Sequence, residues 1–140
     1  VFDKNYKFNL FKADIIEEGT DVTIIATGIM VAEAKKAVEM LKKDGISAEL
    51  ISANVIKPLD EKTILESIKK TKHVVTCENH NLIGGLYSAV AELVCQRYPL
   101  KINGIGVKDR FGQVGKYNDL LKEYQMTPQD IYYIVKNSLD

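Results

Sequence analysis

Hydrophobic and polar positions fall into two alternating rhythms from residue 13 onward. Val22 to Thr27 is an apolar, β-branched run and reads as a strand buried on both faces. After Gly28, apolar residues return at helical spacing, with Met30, Ala34, Ala37, Val38 and Leu41 on one face of a helix over 29–43. Gly45 is placed to take the left-handed conformation that ends a helix. Ala48 to Val55 is the next strand. Pro58 breaks it, and Asp60 caps a helix through Lys70. The unit then recurs as a strand over 73–78, a polar, glycine-rich loop over 79–85, a helix over 86–97 and a strand over 101–107. A loop over 108–116 precedes a short helix near 119–124 and a last helix opened by Thr127-Pro128.

Ala13 to Glu17 reads as a further short strand. The tight turn Glu18-Gly19-Thr20-Asp21 joins it to Val22, which predicts a hairpin and one antiparallel strand. Strands alternating with helices demand a mostly parallel sheet covered on both faces. The expected fold class is therefore α/β, a three-layer α/β/α domain over 13–140. Residues 1–12 set Phe2, Tyr6, Phe8, Leu10 and Phe11 among Asp, Asn and Lys, the pattern of an apolar-studded arm lying on something else.

Composition narrows the function classes. With 140 residues, 46% of them hydrophobic and 27% charged, the chain is too apolar for disorder and large enough for one domain core. Nineteen basic and nineteen acidic residues cancel, so no global field draws it to nucleic acid or an anionic membrane. No apolar run approaches the roughly 20 residues of a membrane span. Cys77 and Cys95 are not in a Cys-x-x-Cys pair, which gives neither a disulfide framework nor a zinc site and points to a reduced, cytoplasmic setting. The chain opens Val1-Phe2-Asp3-Lys4 without an initiator Met, as a processed chain or a piece of a longer one would.

Ligands of such sheets bind outside the carboxyl ends of the strands, where 28–30, 78–85 and 108–115 are expected. Glu78, His80, Asn81, Gly84 and Gly85 lead into a helix whose free N–H groups and dipole offer an anion site; ordinary loop and cap chemistry explains the same residues. His80 is a candidate general acid or base because it carries an imidazole, but the sequence fixes no nucleophile beside it. Asp109, Arg110, Phe111 and Gly112 follow a strand. Arg110 has the planar fork that clamps phosphate or carboxylate, while the Asp–Arg pair serves equally to fix the loop or face a partner. Gly104-Ile105-Gly106 lacks the third glycine of a dinucleotide fingerprint, and 112–116 is too short for a phosphate loop. Cys77 has no neighbour that would make it a thiolate. No catalytic set is complete and no metal site is expected.

Three strings taken together are more specific: Glu18 to Gly28 before a helix, Glu78-Asn79-His80-Asn81-Leu82-Ile83-Gly84-Gly85-Leu86, and Ile105-Gly106-Val107-Lys108-Asp109-Arg110-Phe111-Gly112. In this order and spacing the chain resembles the C-terminal domain of transketolase, above all that of split bacterial and archaeal forms. Residues 1–12 resemble the connection from a preceding domain. The resemblance implies a five-stranded mixed sheet with one antiparallel strand. It implies, for the complete enzyme, transfer of a two-carbon ketol unit between sugar phosphates in the pentose phosphate pathway, with thiamine diphosphate and a divalent cation (Mg). The family holds the diphosphate with a Gly-Asp-Gly motif in its first domain, and no Gly-Asp pair occurs here. The glutamate that activates the cofactor belongs to the middle domain. The implied role of this segment is dimer assembly and support of the preceding domains or N-terminal subunit, with no cofactor, metal or catalytic residue of its own and no activity alone. Glu78, His80, Gly84, Gly85, Asp109, Phe111 and Gly112 match the family motifs as rim or interface positions, whereas Val114 stands where relatives often have Ser. The alternatives are the same domain in deoxyxylulose-phosphate synthase or in the β chain of a 2-oxoacid dehydrogenase, acting as a partner- or effector-binding module.

Overall fold

A computed structural model describes residues 1–2 and 4–139; Asp3, in the expected arm, and Asp140, at the end of the expected domain, lie outside the described residues. The strands are β1 (Asp14–Glu17), β2 (Val22–Ala26), β3 (Ala48–Ser52), β4 (Val74–Asn81) and β5 (Ile102–Val107). They form one sheet in the order β1-β3-β2-β4-β5, with only β1 antiparallel to its neighbour. The helices are α1 (Met30–Lys43), α2 (Glu61–Thr71), α3 (Leu86–Arg97), α4 (Tyr117–Glu123) and α5 (Pro128–Leu139). Every residue of β2 and β3 is buried, as strands covered on both faces require. On one face Ile24 and Leu50 pack with Met30, Leu41, Ile131 and Val135 of α1 and α5. On the other, Ile25 and Val74 pack with Ile64, Ile68, Leu86 and Val90 of α2 and α3. The three-layer α/β/α arrangement is the one the pattern predicts.

The hairpin is not. β1 pairs with β3, in the register Asp14↔Ser52 and Ile15↔Ile51, and does not touch β2 as a partner. β2 is wholly apolar or β-branched and takes the centre, with β3 on one side and β4 on the other. The link between β1 and β2 crosses the amino end of β3: Thr20 and Asp21 donate their N–H groups to the Ser47 carbonyl at 3.0 and 2.8 Å. The Ser47 N–H donates back to the Asp21 carboxylate at 2.7 Å. β3 also stops at Ser52, short of Val55. β4 runs three residues past Glu78, its pairing with β5 slipping between Cys77 and Asn81, so Asn79 to Asn81 are strand where a loop is expected. α4 starts at Tyr117, a half-turn early.

Because β1 is antiparallel, residues 4–12 arrive at the edge of the sheet where β2 to β5 end. Asp14 anchors them there, accepting from Tyr6 Oη at 2.6 Å and Asn54 Nδ2 at 2.5 Å. Asp60 makes a second tie, accepting from the Ala13 N–H at 2.9 Å while capping α2 through the Thr63 N–H at 3.2 Å. Burial alone would raise the Asp60 carboxyl. The Thr63 side chain, the Ala13 and Thr63 amides and the Lys12 charge outweigh burial and hold it below the ordinary aspartate value of 3.8. A carboxyl lowered in the folded state stabilises above its unfolded pKa and loses that contribution as pH falls through the folded one. Asp60→Ala is expected to cost about 1–2 kcal/mol near pH 6 and measurably less near pH 2, where the charge is being lost and a weaker, neutral acceptor is left. Urea midpoints at the two pH values measure the difference; a cost independent of pH sinks the charge argument.

Candidate functional site

The carboxyl edge of the sheet brings together the residues singled out above. Glu78 is fully buried, and its carboxylate reaches up from β4 to the start of α3, where Oε2 accepts from the Leu86 N–H and Oε1 from the Tyr87 N–H, both at 2.8 Å. The helix N-terminus therefore already holds an anion, one supplied by the chain itself. Burial pushes the Glu78 carboxyl up from its ordinary value, and the Tyr87 and Leu86 amides and the nearby His80 draw it part of the way back. Burial, with Glu78 beside it, also pushes the Cys77 thiol up, which leaves Cys77 an inert core thiol.

Three glycines are explained by the room this arrangement needs. A Cβ on Gly85 would stand 1.9 Å from Glu78 Oε2, and one on Gly106 would meet Leu82 Cδ2 at 2.8 Å and Glu78 Cγ at 3.1 Å. On Gly104 it would meet the Tyr87 ring at 2.6 Å. The pair in β5 is thus a packing surface for the β4–α3 connection. Gly84 adopts φ +82° and donates its N–H to Ser88 Oγ at 2.8 Å; Ser88 Oγ donates in turn to the Leu82 carbonyl at 3.1 Å.

His80 is exposed on the strand extension, its Nδ1 3.1 Å from the Asn81 carbonyl, and the Glu78 carboxylate is committed to backbone amides instead of to the imidazole. Asn81 joins two of the loops: its Nδ2 donates to Asp109 Oδ1 at 3.4 Å and its Oδ1 accepts from the Ile83 N–H at 3.2 Å. Arg110 pairs with Glu123 and lies 4.8 Å from the centre of the Tyr124 ring. Tyr124 Oη donates to the Phe111 carbonyl at 3.0 Å and Gln113 Nε2 to Glu123 at 3.2 Å. Glu123 and Tyr124 escape a sequence reading because nothing in a short helix marks them as braces for a loop 13 residues away. Their effect is a loop held from behind, with Gly112 in open space and Phe111 97% exposed.

These residues do not fit a thiamine diphosphate. The α3 N-terminus, the anion site expected after Gly85, holds the Glu78 carboxylate, which would repel a diphosphate, and Arg110 is bound to Glu123. No group of three His, Cys, Asp or Glu side chains that would hold a metal ion occurs among the described residues.

Comparison with known proteins decides the family, since the transketolase C-terminal domain family matches residues 11–131. The chain belongs to that family. It is 46% identical over 128 residues to the 6-deoxy-6-sulfo-D-fructose transketolase subunit SqwH of Clostridium sp. (strain MSTE9), 91% of this chain and 40% of that one. It is 47% identical over 126 residues to a putative transketolase C-terminal section of Methanocaldococcus jannaschii, 89% of this chain and 39% of that one. A 1-deoxy-D-xylulose-5-phosphate synthase of Heliobacterium modesticaldum is 32% identical over 130 residues, 92% of this chain and 20% of that one. Among solved structures, a split gene transketolase described as an inactive beta4 tetramer superposes with a TM-score of 0.94 at 40% identity, over 99% of this chain and 46% of that one. This transketolase C-terminal domain thus spans about two-fifths of the curated transketolase relatives it matches.

Proposed function

We propose that the chain serves as the C-terminal part of a thiamine-diphosphate-dependent transketolase. The complete enzyme would move a two-carbon ketol unit between sugar phosphates in the cytoplasm, as in the pentose phosphate pathway, and would assemble as a dimer. Its thiamine diphosphate and Mg would be held by the preceding domains or N-terminal subunit, with this domain contributing assembly. The observation that supports the reading is identity of 46–47% to a transketolase subunit and a transketolase C-terminal section along nine-tenths of the chain, against 32% to the deoxyxylulose-phosphate synthase. The Glu78 carboxylate seated on α3 supports an assembly role, because it fills the N-terminus of α3, the anion site offered by the glycine-rich segment.

The test is an assay of the native protein, purified from its source with whatever chain accompanies it. Ketol transfer from a ketose phosphate to an aldose phosphate is expected, dependent on added thiamine diphosphate and Mg, with none from the 140-residue chain alone. Condensation of pyruvate with glyceraldehyde phosphate, without ketol transfer, would replace this reading with the synthase one.

A further inference from the structure

One residue of β5 has a type that packing does not explain. Gly104 and Gly106 make room for Tyr87, Leu82 and Glu78, and Ile102, Ile105 and Val107 are apolar. Asn103 is neither. Asparagine is a poor strand former, and among the described residues this side chain makes no hydrogen bond. β5 also pairs only with β4, so it is an open edge of the sheet with outward-facing N–H and C=O groups.

Asn103 lines a cleft of about 530 Å³ along this edge, within the size range of small-molecule sites. Tyr87 and Leu82 wall it on the α3 side and Ile134 of α5 on the other, with Ile102 of β5 between them. Two polar residues of the lining are already engaged. Asn81 Oδ1 accepts from the Ile83 N–H, and Ser88 Oγ is held between the Gly84 N–H and the Leu82 carbonyl. The two charged ones are not. Lys108 has no hydrogen bond or ion pair among the described residues. Asp109 has a single long bond, 3.4 Å from Asn81 Nδ2, and adopts the left-handed backbone at φ +48°.

Lys108 is the only cation of the lining and Asp109 the only anion. A ligand with one charge would satisfy one of them and face its own sign in the other. A molecule with both charges beside an apolar body matches the whole cleft. We propose that this cleft binds a free α-amino acid with a large apolar side chain. Its carboxylate pairs with Lys108, its ammonium with Asp109, and its side chain lies among Tyr87, Ile102 and Ile134. The open strand edge and the Asn103 amide offer further donors and acceptors to the same two groups. Nothing in this site depends on the transketolase reading, since every residue belongs to this domain.

The test is equilibrium dialysis of the native protein, with whatever chain accompanies it, against radiolabelled L-phenylalanine, 3-phenylpropionate and 2-phenylethylamine. Phenylalanine is expected to bind once per chain with a Kd of roughly 0.1–1 mM, the range open to a ligand of this size. The other two each lack one charge and should bind about tenfold more weakly or worse. L-Alanine, which lacks the apolar body, should compete poorly with phenylalanine. Lys108→Ala should weaken phenylalanine and phenylpropionate about tenfold and leave phenylethylamine unchanged. Asp109→Asn, a residue type that tolerates the left-handed backbone, should weaken phenylalanine and phenylethylamine and spare phenylpropionate. Both side chains are exposed, so thermal unfolding of the two variants should match that of the parent. A purely structural role for either residue would weaken all three ligands alike, and that result would overturn the site. So would the absence of saturable phenylalanine binding, or equal binding of the three. N-acetylphenylalaninamide binding as tightly as phenylalanine would overturn the amino acid as occupant and give the open edge to an extended peptide.

Discussion

Glu78→Ala is expected to lower stability by about 3 kcal/mol, because it strips two backbone N–H groups of their acceptor at a buried helix start. In a domain of this size that is a fall in melting temperature of roughly 12 °C. Glu78→Gln keeps one acceptor oxygen and turns an NH2 group towards the other amide, so its cost should be smaller, about 1–2 kcal/mol. Gly85→Ala attacks the same joint from the other side. Its Cβ would fall 1.9 Å from Glu78 Oε2 and 2.6 Å from the Asn81 carbonyl, and a cost of about 3 kcal/mol follows from the forced retreat of the carboxylate. The two changes share one cause, so the double variant should cost at least 1 kcal/mol less than the sum of the singles. Urea unfolding of the four proteins gives the cycle. Strict additivity, or a Glu78→Ala cost below 1 kcal/mol, would mean that Glu78 does not hold α3 onto β4.

That joint shows how far the sequence could be read. The string Glu78 to Gly85 is legible as unusual, and the family resemblance rests on it together with Glu18 to Gly28 and Ile105 to Gly112. Its chemistry is not legible, because a carboxylate two residues before an imidazole looks the same whether it faces solvent or turns back onto a helix eight residues on. The deciding facts are the burial of Glu78 beneath the start of α3 and the extension of β4 to Asn81, which pairs with Val107 of β5. Gly104 and Gly106 likewise read only as a failed dinucleotide motif until Tyr87 and Leu82 are seen against them. The helices were easier. α3 has the bounds its apolar spacing predicts, and Asp60 caps α2 as its position before an apolar-periodic run demands. Arg110 was legible as a charge near an aromatic, but the aromatic it uses is Tyr124, brought back by α4, and not its neighbour Phe111.

Gly19→Ala is expected to do as much damage as any single change in this chain, and it tests the one topological expectation that failed. In a hairpin turn Gly19 would face solvent and tolerate a methyl group. In the observed topology the chain passes across the first residues of β3, and a Cβ on Gly19 would stand 2.2 Å from the Ala48 carbonyl carbon, 2.2 Å from the Glu49 nitrogen and 2.6 Å from the Ala48 oxygen. All three are backbone atoms, so no side chain can swing aside. The crossing must lift off β3, breaking the Thr20 and Asp21 bonds to Ser47 and the contact of the Gly19 N–H with the buried Glu49 carboxylate, which also pairs with Lys70. A cost of at least about 3 kcal/mol follows, at the upper end for overpacking. Two other glycines calibrate it. Gly45 has φ +78° with nothing within 4 Å, so Gly45→Ala pays for backbone strain alone, about 1 kcal/mol. Gly112 has open space and no positive φ, and Gly112→Ala should be close to neutral. If Gly19→Ala proves too unstable to purify, amide hydrogen exchange of β1 in the unmodified protein reads the same topology: protection at Ile15 and Glu17 must vary with β3 and not with β2. A Gly19→Ala cost below that of Gly45→Ala would restore the hairpin and remove β1 from the edge of β3.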